Sequence, residues 1–300
     1  MKAEICIMGA GAFGKAIAHL LTEKGYGPVI WTRGMDAESC VKDKDFVIFA
    51  VPAQSFREVF SKAAPYIGNA IIINVAKGIE TGSLLRLSQV AEEILPGCRY
   101  AVLSGPSHAE EIAIDMPTDV SISSNDPELL PVVQDLFFAE RFRVYTNNDL
   151  IGVELGGSVK NVIALATGIA DGLGFGDNSR AALMTRGLAE ISRLGIAMGA
   201  DPVTFLGLAG VGDLIVTCGS MHSRNRRCGI LLGQGKSVEE ATREVGQVVE
   251  GISTCCAVYE LAQKYSVDMP ITSFLYHFLT GKISLEEALN LLLSRDRKAE

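Results

Sequence analysis

Short apolar runs alternate with helical spacing over the first half of the chain. Residues 4–8, 29–31, 46–51 and 70–75 read as strands, the third ended by Pro52, which has no amide hydrogen for a ladder. Between them, residues 13–24, 54–64 and 83–94 carry helical patterns. Uninterrupted apolar strands separated by helices predict a parallel sheet covered on both faces. Further strands follow at 100–104, 119–123 and 141–145, with a helix over 127–138; the pattern does not give their direction. From Asp149 helical patterns dominate: 153–170, 179–198, 238–250, 254–265, 271–280 and 284–293. Asp201-Pro202 and Met269-Pro270 read as helix entries, and residues 296–300 as a polar, fraying end. The pattern predicts an α/β domain over residues 1–148 and a helical domain over 149–300. No low-complexity linker separates them, so they should pack closely.

A chain of 300 residues has room for a core in each half. A net charge of -8 argues against a nucleic-acid partner, yet permits a local basic site for a phosphate. Seven cysteines, at 6, 40, 98, 218, 228, 255 and 256, form no CxxC and fit a reducing compartment better than a disulfide framework. The four histidines show no zinc-ligand spacing, so no metal is expected. The start lacks a signal-peptide pattern and no apolar stretch reaches 18 uncharged residues. The expectation is a protein of the cytoplasm with no membrane span.

The sharpest local signal is Gly9-Ala10-Gly11-Ala12-Phe13-Gly14, a GxGxxG directly after a strand and opening a helix. Gly9 would permit the turn, Gly11 would let a pyrophosphate approach the backbone, and Gly14 would let helix and strand pack closely. The helix start offers free amides and a positive dipole end to the anion. The competing reading is merely a tight glycine turn. The second strand ends Trp31-Thr32-Arg33 with no carboxylate. Arg33 can pair with a 2'-phosphate, which predicts use of NADP with NAD also accepted; a solvated loop arginine is the plain alternative.

Hydride transfer needs a proton-transfer group beside the substrate oxygen. His19, on the first helix, and His277, near the end, stand where a histidine is more often structural, and His108 and His222, in loops, have no evident acidic orienter. Lys160, followed by Asn161 in an apolar helical segment, is the better candidate, because desolvation lowers a lysine's proton affinity. A lysine at a helix edge with its head in water is the bland alternative. A second cluster runs from Gly210-Val211-Gly212-Asp213 through Thr217 to Ser223-Arg224-Asn225-Arg226-Arg227. It reads either as an anion pocket, with Arg224 and Asn225 on phosphate oxygens, or as a solvated basic face. Lys77, after the fourth strand, stands where ligands bind in such sheets.

These segments together resemble the bacterial-type NAD(P)-dependent glycerol-3-phosphate dehydrogenases. The resemblance spans nearly the whole chain: residues 9–14, 74–78, 104–109, 154–161, 171–176, 210–213 and 223–227 occur in the family's order. Ala12-Phe13 stands where many members have Ser-Trp, and Asp119 where a small apolar residue is common. The resemblance implies a Rossmann-like dinucleotide-binding N-terminal domain, an all-helical C-terminal domain and a homodimer. It implies Lys160 as the general acid and base. Lys77, Gly105, Ser107, Asp213, Ser223, Arg224 and Asn225 correspond to substrate contacts, with Asn161 and Thr217 as neighbours. Ala12, Phe13, Arg33, Lys77, Ala109, Arg224, Val248 and Glu250 correspond to cofactor contacts, beside Gly9, Gly11 and Gly14 of the turn.

The implied reaction interconverts dihydroxyacetone phosphate and sn-glycerol 3-phosphate with NADP or NAD, feeding phospholipid synthesis. The residues alone leave two rivals: a two-domain hydroxy-acid dehydrogenase, since a carboxylate also fits an arginine fork, and a dinucleotide-sensing protein without turnover.

Overall fold

The first apolar run forms β1 (Ile5–Met8), buried along its whole length and second from one edge of a seven-stranded sheet. In chain order follow α1 (Ala12–Glu23), β2 (Val29–Trp31), α2 (Ala37–Val41), β3 (Phe46–Phe49), α3 (Ala53–Ile67), β4 (Ile71–Asn74) and α4 (Leu87–Ile94). Then come β5 (Tyr100–Ser104), α5 (Ala109–Ile112), β6 (Thr118–Ser124), α6 (Leu129–Phe137) and β7 (Phe142–Asn147). The computed structural model describes residues 2–293; the polar end expected at 296–300 lies outside them.

The strand order is 2-1-3-4-5-6-7. β1 to β5 are parallel, β6 runs antiparallel to β5, and β7 is parallel to β6. Alternate residues feed opposite cores. Ile5, Ile7, Ile48 and Ile73 pack with Ile17 and Leu21 of α1. Cys6, Met8, Phe49 and Ile72 pack with Phe56 and Phe60 of α3. Burial on both faces is why the strands read as continuous apolar runs. β1 pairs with β2 on one side and β3 on the other, so a crevice opens at the carboxyl ends of β1 and β3.

The helical half comprises α7 (Leu150–Gly172), α8 (Asp177–Ala197), α9 (Asp213–Gly219), α10 (Arg224–Gly233), α11 (Val238–Val245), α12 (Glu250–Lys264), α13 (Pro270–Leu279) and α14 (Leu285–Leu293). A 3₁₀ turn (Pro202–Leu206) and a π turn (Leu208–Gly212) lead into α9. α7 is its axis: Val159 and Ile163 join one apolar cluster, Val162, Leu165 and Ile169 another. By length and composition α7 could cross a membrane, but 89% of its most apolar window is buried among its neighbours, as in a core helix.

The two halves are joined by a buried carboxylate. Glu154 of α7 accepts hydrogen bonds from Arg86 Nη1 at 2.6 Å, Ser88 N at 2.9 Å, Ser88 Oγ at 2.5 Å and Tyr100 OH at 3.2 Å. Four donors offset the cost of removing that charge from water.

Residues 238–250 are not one helix, as their spacing suggests. Gly246 adopts φ 69 and ends α11, and α12 starts afresh at Glu250. The polar cluster at 213–227, to which the sequence pattern assigns no helix, forms α9 and α10 on either side of a turn. α2 and α5 are five and four residues long, too short to carry a periodic signal.

Candidate active site

The loops after β1, β3, β4 and β5 open onto one cleft. Its opposite wall comes from α7, the end of α9, the start of α10 and the α11–α12 break. The cleft holds about 1510 Å³, its open mouth included.

At one end stands the glycine turn. Gly9 has φ 130, and a Cβ there would lie 2.7 Å from the Ala50 carbonyl oxygen, so neither the dihedral nor the space suits a side chain. A Cβ on Gly14 would collide with the Gly9 carbonyl, which is the close helix–strand contact expected there. Gly11 faces open space and caps α1 without a side-chain hydrogen bond, leaving the first-turn amides free. Ala12, Phe13, Ala109, Val248 and Glu250 line the same cleft. Glu250 Oε1 accepts from Ala53 N at 3.1 Å, while its Oε2 and Thr254 Oγ1 are buried with no partner among the described residues. A dinucleotide fits this end: an open pyrophosphate position, unbonded amides and a spare buried acceptor. Arg33 is exposed in the turn after β2 and is not among the residues lining the cleft.

At the other end two lysines meet one carboxylate. Asp213 and Thr217 are four residues apart on α9, hence on one face. Lys160 Nζ donates to Asp213 Oδ1 and, at 2.7 Å, to Thr217 Oγ1. Lys77 Nζ donates to Asp213 Oδ2 at 2.7 Å and to the Gly105 carbonyl at 2.8 Å, with Ser107 Oγ at 3.4 Å. Gly105 reaches this place with φ 137. Burial pushes Lys160 down to about 7, against the attraction of Asp213; the nearby positive charge of Lys77 adds to the fall. Burial would raise Asp213, but the two lysines outweigh it and hold it below the usual carboxylate range.

The phosphate candidates stand at the start of α10. Ser223 Oγ accepts from Arg226 N at 3.2 Å and caps the helix, and Arg224 is exposed on the cleft wall. Asn225 is more engaged than its sequence position suggests: Nδ2 donates to Asn161 Oδ1 at 2.8 Å, and Oδ1 accepts from Gly251 N at 2.8 Å. Among the sequence candidates, Gly105 and Asp213 lie behind the lining residues.

Sequence reasoning set aside His108 and His222, yet both line the cleft, with ring centroids 5.6 Å apart. His108 also approaches the Val216 carbonyl at 3.4 Å, and burial and Lys160 lower its proton affinity. Their only signal was position inside Ser104–Ala109 and beside Ser223. Gln247 and Pro52, also cleft-lining, carried none.

Comparison with known proteins covers nearly the whole chain. Residues 32–130 match the model of the NAD-dependent glycerol-3-phosphate dehydrogenase N-terminus, and residues 149–290 that of its C-terminus. The chain is 49% identical to a glycerol-3-phosphate dehydrogenase [NAD(P)+] of Carboxydothermus hydrogenoformans, covering 99% of this chain and 98% of the relative. It is also 49% identical to one from Pelotomaculum thermopropionicum, covering 100% and 95%. The crystal structure of glycerol-3-phosphate dehydrogenase from Coxiella burnetii superposes with a TM-score of 0.93 at 38% identity, over 98% of this chain and 99% of that one.

Proposed function

The chain belongs to the NAD-dependent glycerol-3-phosphate dehydrogenase family, and from that premise we propose how its residues divide the work. It is an NAD(P)-dependent oxidoreductase that interconverts dihydroxyacetone phosphate and sn-glycerol 3-phosphate. Residues 1–148 hold the dinucleotide and residues 149–300 most of the substrate. When bound, the reduced dinucleotide supplies the hydride to the substrate's C2 carbon.

Lys160 holds the proton. As an ammonium it stabilises negative charge on the C2 oxygen and donates to it; in the reverse direction the neutral amine accepts the hydroxyl proton. A proton affinity near neutrality serves both directions. Asp213 and Thr217 aim that amine. Lys77, Ser107, Asn161 and the exposed Arg224 surround the substrate, and the free amides at the start of α10 with Ser223, Arg224 and Asn225 take its phosphate. Gly9, Gly11 and the first turn of α1 cradle the pyrophosphate, with Ala12, Phe13, Ala109, Val248 and Glu250 along the cofactor and Arg33 toward an adenosine 2'-phosphate. The working unit is a homodimer in the cytoplasm.

The observation that carries this reading is the buried Lys160 amine, paired to Asp213 and open to the cleft that begins at the glycine turn. Dihydroxyacetone phosphate should drive oxidation of NADPH or NADH by the purified chain. Faster turnover of a 2-keto acid than of dihydroxyacetone phosphate would contradict it.

A further inference from the structure

The motif at residues 171–176 takes no part in the cleft, and the functional assignments leave it without a role. Asp171 lies eleven residues after Lys160 on α7, three turns along nearly the same face. Its side chain is 10% exposed. Oδ2 accepts from Arg226 Nε at 2.8 Å; Oδ1 accepts from Arg180 Nε at 3.1 Å and Nη2 at 2.9 Å.

Arg226 sits in the first turn of α10, two residues after Arg224. Its Nη1 donates to the Gly219 carbonyl at 2.9 Å, and Gly219 ends α9. One guanidinium therefore ties three pieces together. These are α7, which carries Lys160; the end of α9, which carries Asp213 and Thr217; and the start of α10, with Ser223, Arg224 and Asn225.

The packing beneath gives such a tie a task beside the Asn225–Asn161 hydrogen bond. α7 and α10 touch backbone to backbone: a Cβ on Gly168 would collide with the Arg226 carbonyl, and one on Gly229 with the Leu165 carbonyl. Where glycines face each other the helices approach closely but present fewer knobs to resist sliding along the axis. A directional guanidinium–carboxylate contact at the helix start adds to the resistance that the Asn225–Asn161 hydrogen bond gives.

We propose that Asp171, acting through Arg226, is a positioning residue that fixes the phosphate-holding end of the site at its distance from Lys160. Neither residue lines the cleft, so neither is catalytic. The proposal rests on the reading of Ser223, Arg224 and Asn225 as the phosphate site.

The test uses Asp171→Asn, Arg226→Gln, their double variant and Arg224→Ala in the full chain. KM and kcat are measured for dihydroxyacetone phosphate, KM for NADPH, and the inhibition constant of inorganic phosphate. Asp171→Asn and Arg226→Gln should each raise the substrate KM and the phosphate inhibition constant by about tenfold or more, the scale of a lost charge-assisted hydrogen bond. KM for NADPH should rise far less, and the double variant should be worse than either single by less than the product of their effects, because both remove the shared Asp171–Arg226 contact while each also loses one of its own. If Arg224→Ala leaves phosphate inhibition intact, the phosphate-site reading itself fails. If Arg224→Ala weakens phosphate but the other two do not, the positioning role alone is overturned. Equal losses for phosphate and NADPH would also overturn it, as the mark of general unfolding. Should Asp171→Asn fail to fold, Arg226→Lys, which keeps charge and stem but loses the fork, carries the same expectations.

Discussion

Lys77 and Lys160, from opposite halves of the fold, are held by the two oxygens of a single carboxylate, that of Asp213, which is 1% exposed. When Lys160 is protonated, two lysines against one carboxylate leave a positive excess at the substrate end of an acidic protein, which favours a phosphorylated ligand.

Asp213→Asn removes the main attraction that opposes burial at Lys160. The proton affinity of Lys160 should then fall below about 7, so the neutral amine dominates at neutral pH. Reduction of dihydroxyacetone phosphate at pH 7 should slow far more than oxidation of glycerol 3-phosphate, and the rising limb of the oxidation profile should move to lower pH. Initial rates in both directions across pH check this; equal slowing with unmoved profiles would contradict it.

Much of this was legible beforehand. Gly9 to Gly14 announce themselves because three glycines at fixed spacing follow a strand directly. Lys160 stands out as a charge in an apolar helix. What the chain conceals is pairing at a distance: Lys160 and Asp213 are 53 residues apart, and Lys77 and Asp213 are 136 apart. The strand reversal at β6 was not readable, since a strand's side-chain alternation is the same in either direction. The α11–α12 break was misread because Gly246 interrupts spacing that otherwise continues through it. His108 and His222 were passed over for want of an acidic partner in sequence, although a cleft position needs none.

Gly11→Ala should leave folding intact, because no atom lies within 4 Å of the position its Cβ would take. The added methyl group instead intrudes where the pyrophosphate approaches. Overpacking of about 1–3 kcal/mol corresponds to a rise of about five- to 150-fold in KM for NADPH. The substrate KM should be unaffected and Tm unchanged; a lowered Tm would place the glycine's role in folding instead.

Arg33→Asp should shift cofactor choice toward NAD, since a carboxylate repels a 2'-phosphate and can bond the ribose hydroxyls. The ratio of kcat/KM for NADPH over NADH should fall, mostly through KM. Arg33 is exposed, so Tm should hold. A wild-type preference for NADH that this substitution leaves untouched would remove Arg33 from the cofactor site.

The central claim is that Lys160 carries the proton, and the pH dependence of kcat in both directions tests it most directly. With Lys160 near 7, reduction, which needs the ammonium, should decline as pH rises through that value; oxidation, which needs the neutral amine, should climb through it. Lys160→Ala should abolish both limbs and cost about 10²–10⁴-fold in rate. A variant that kept near-normal rates, or lost rate while keeping the same opposed limbs, would show that the proton is carried elsewhere.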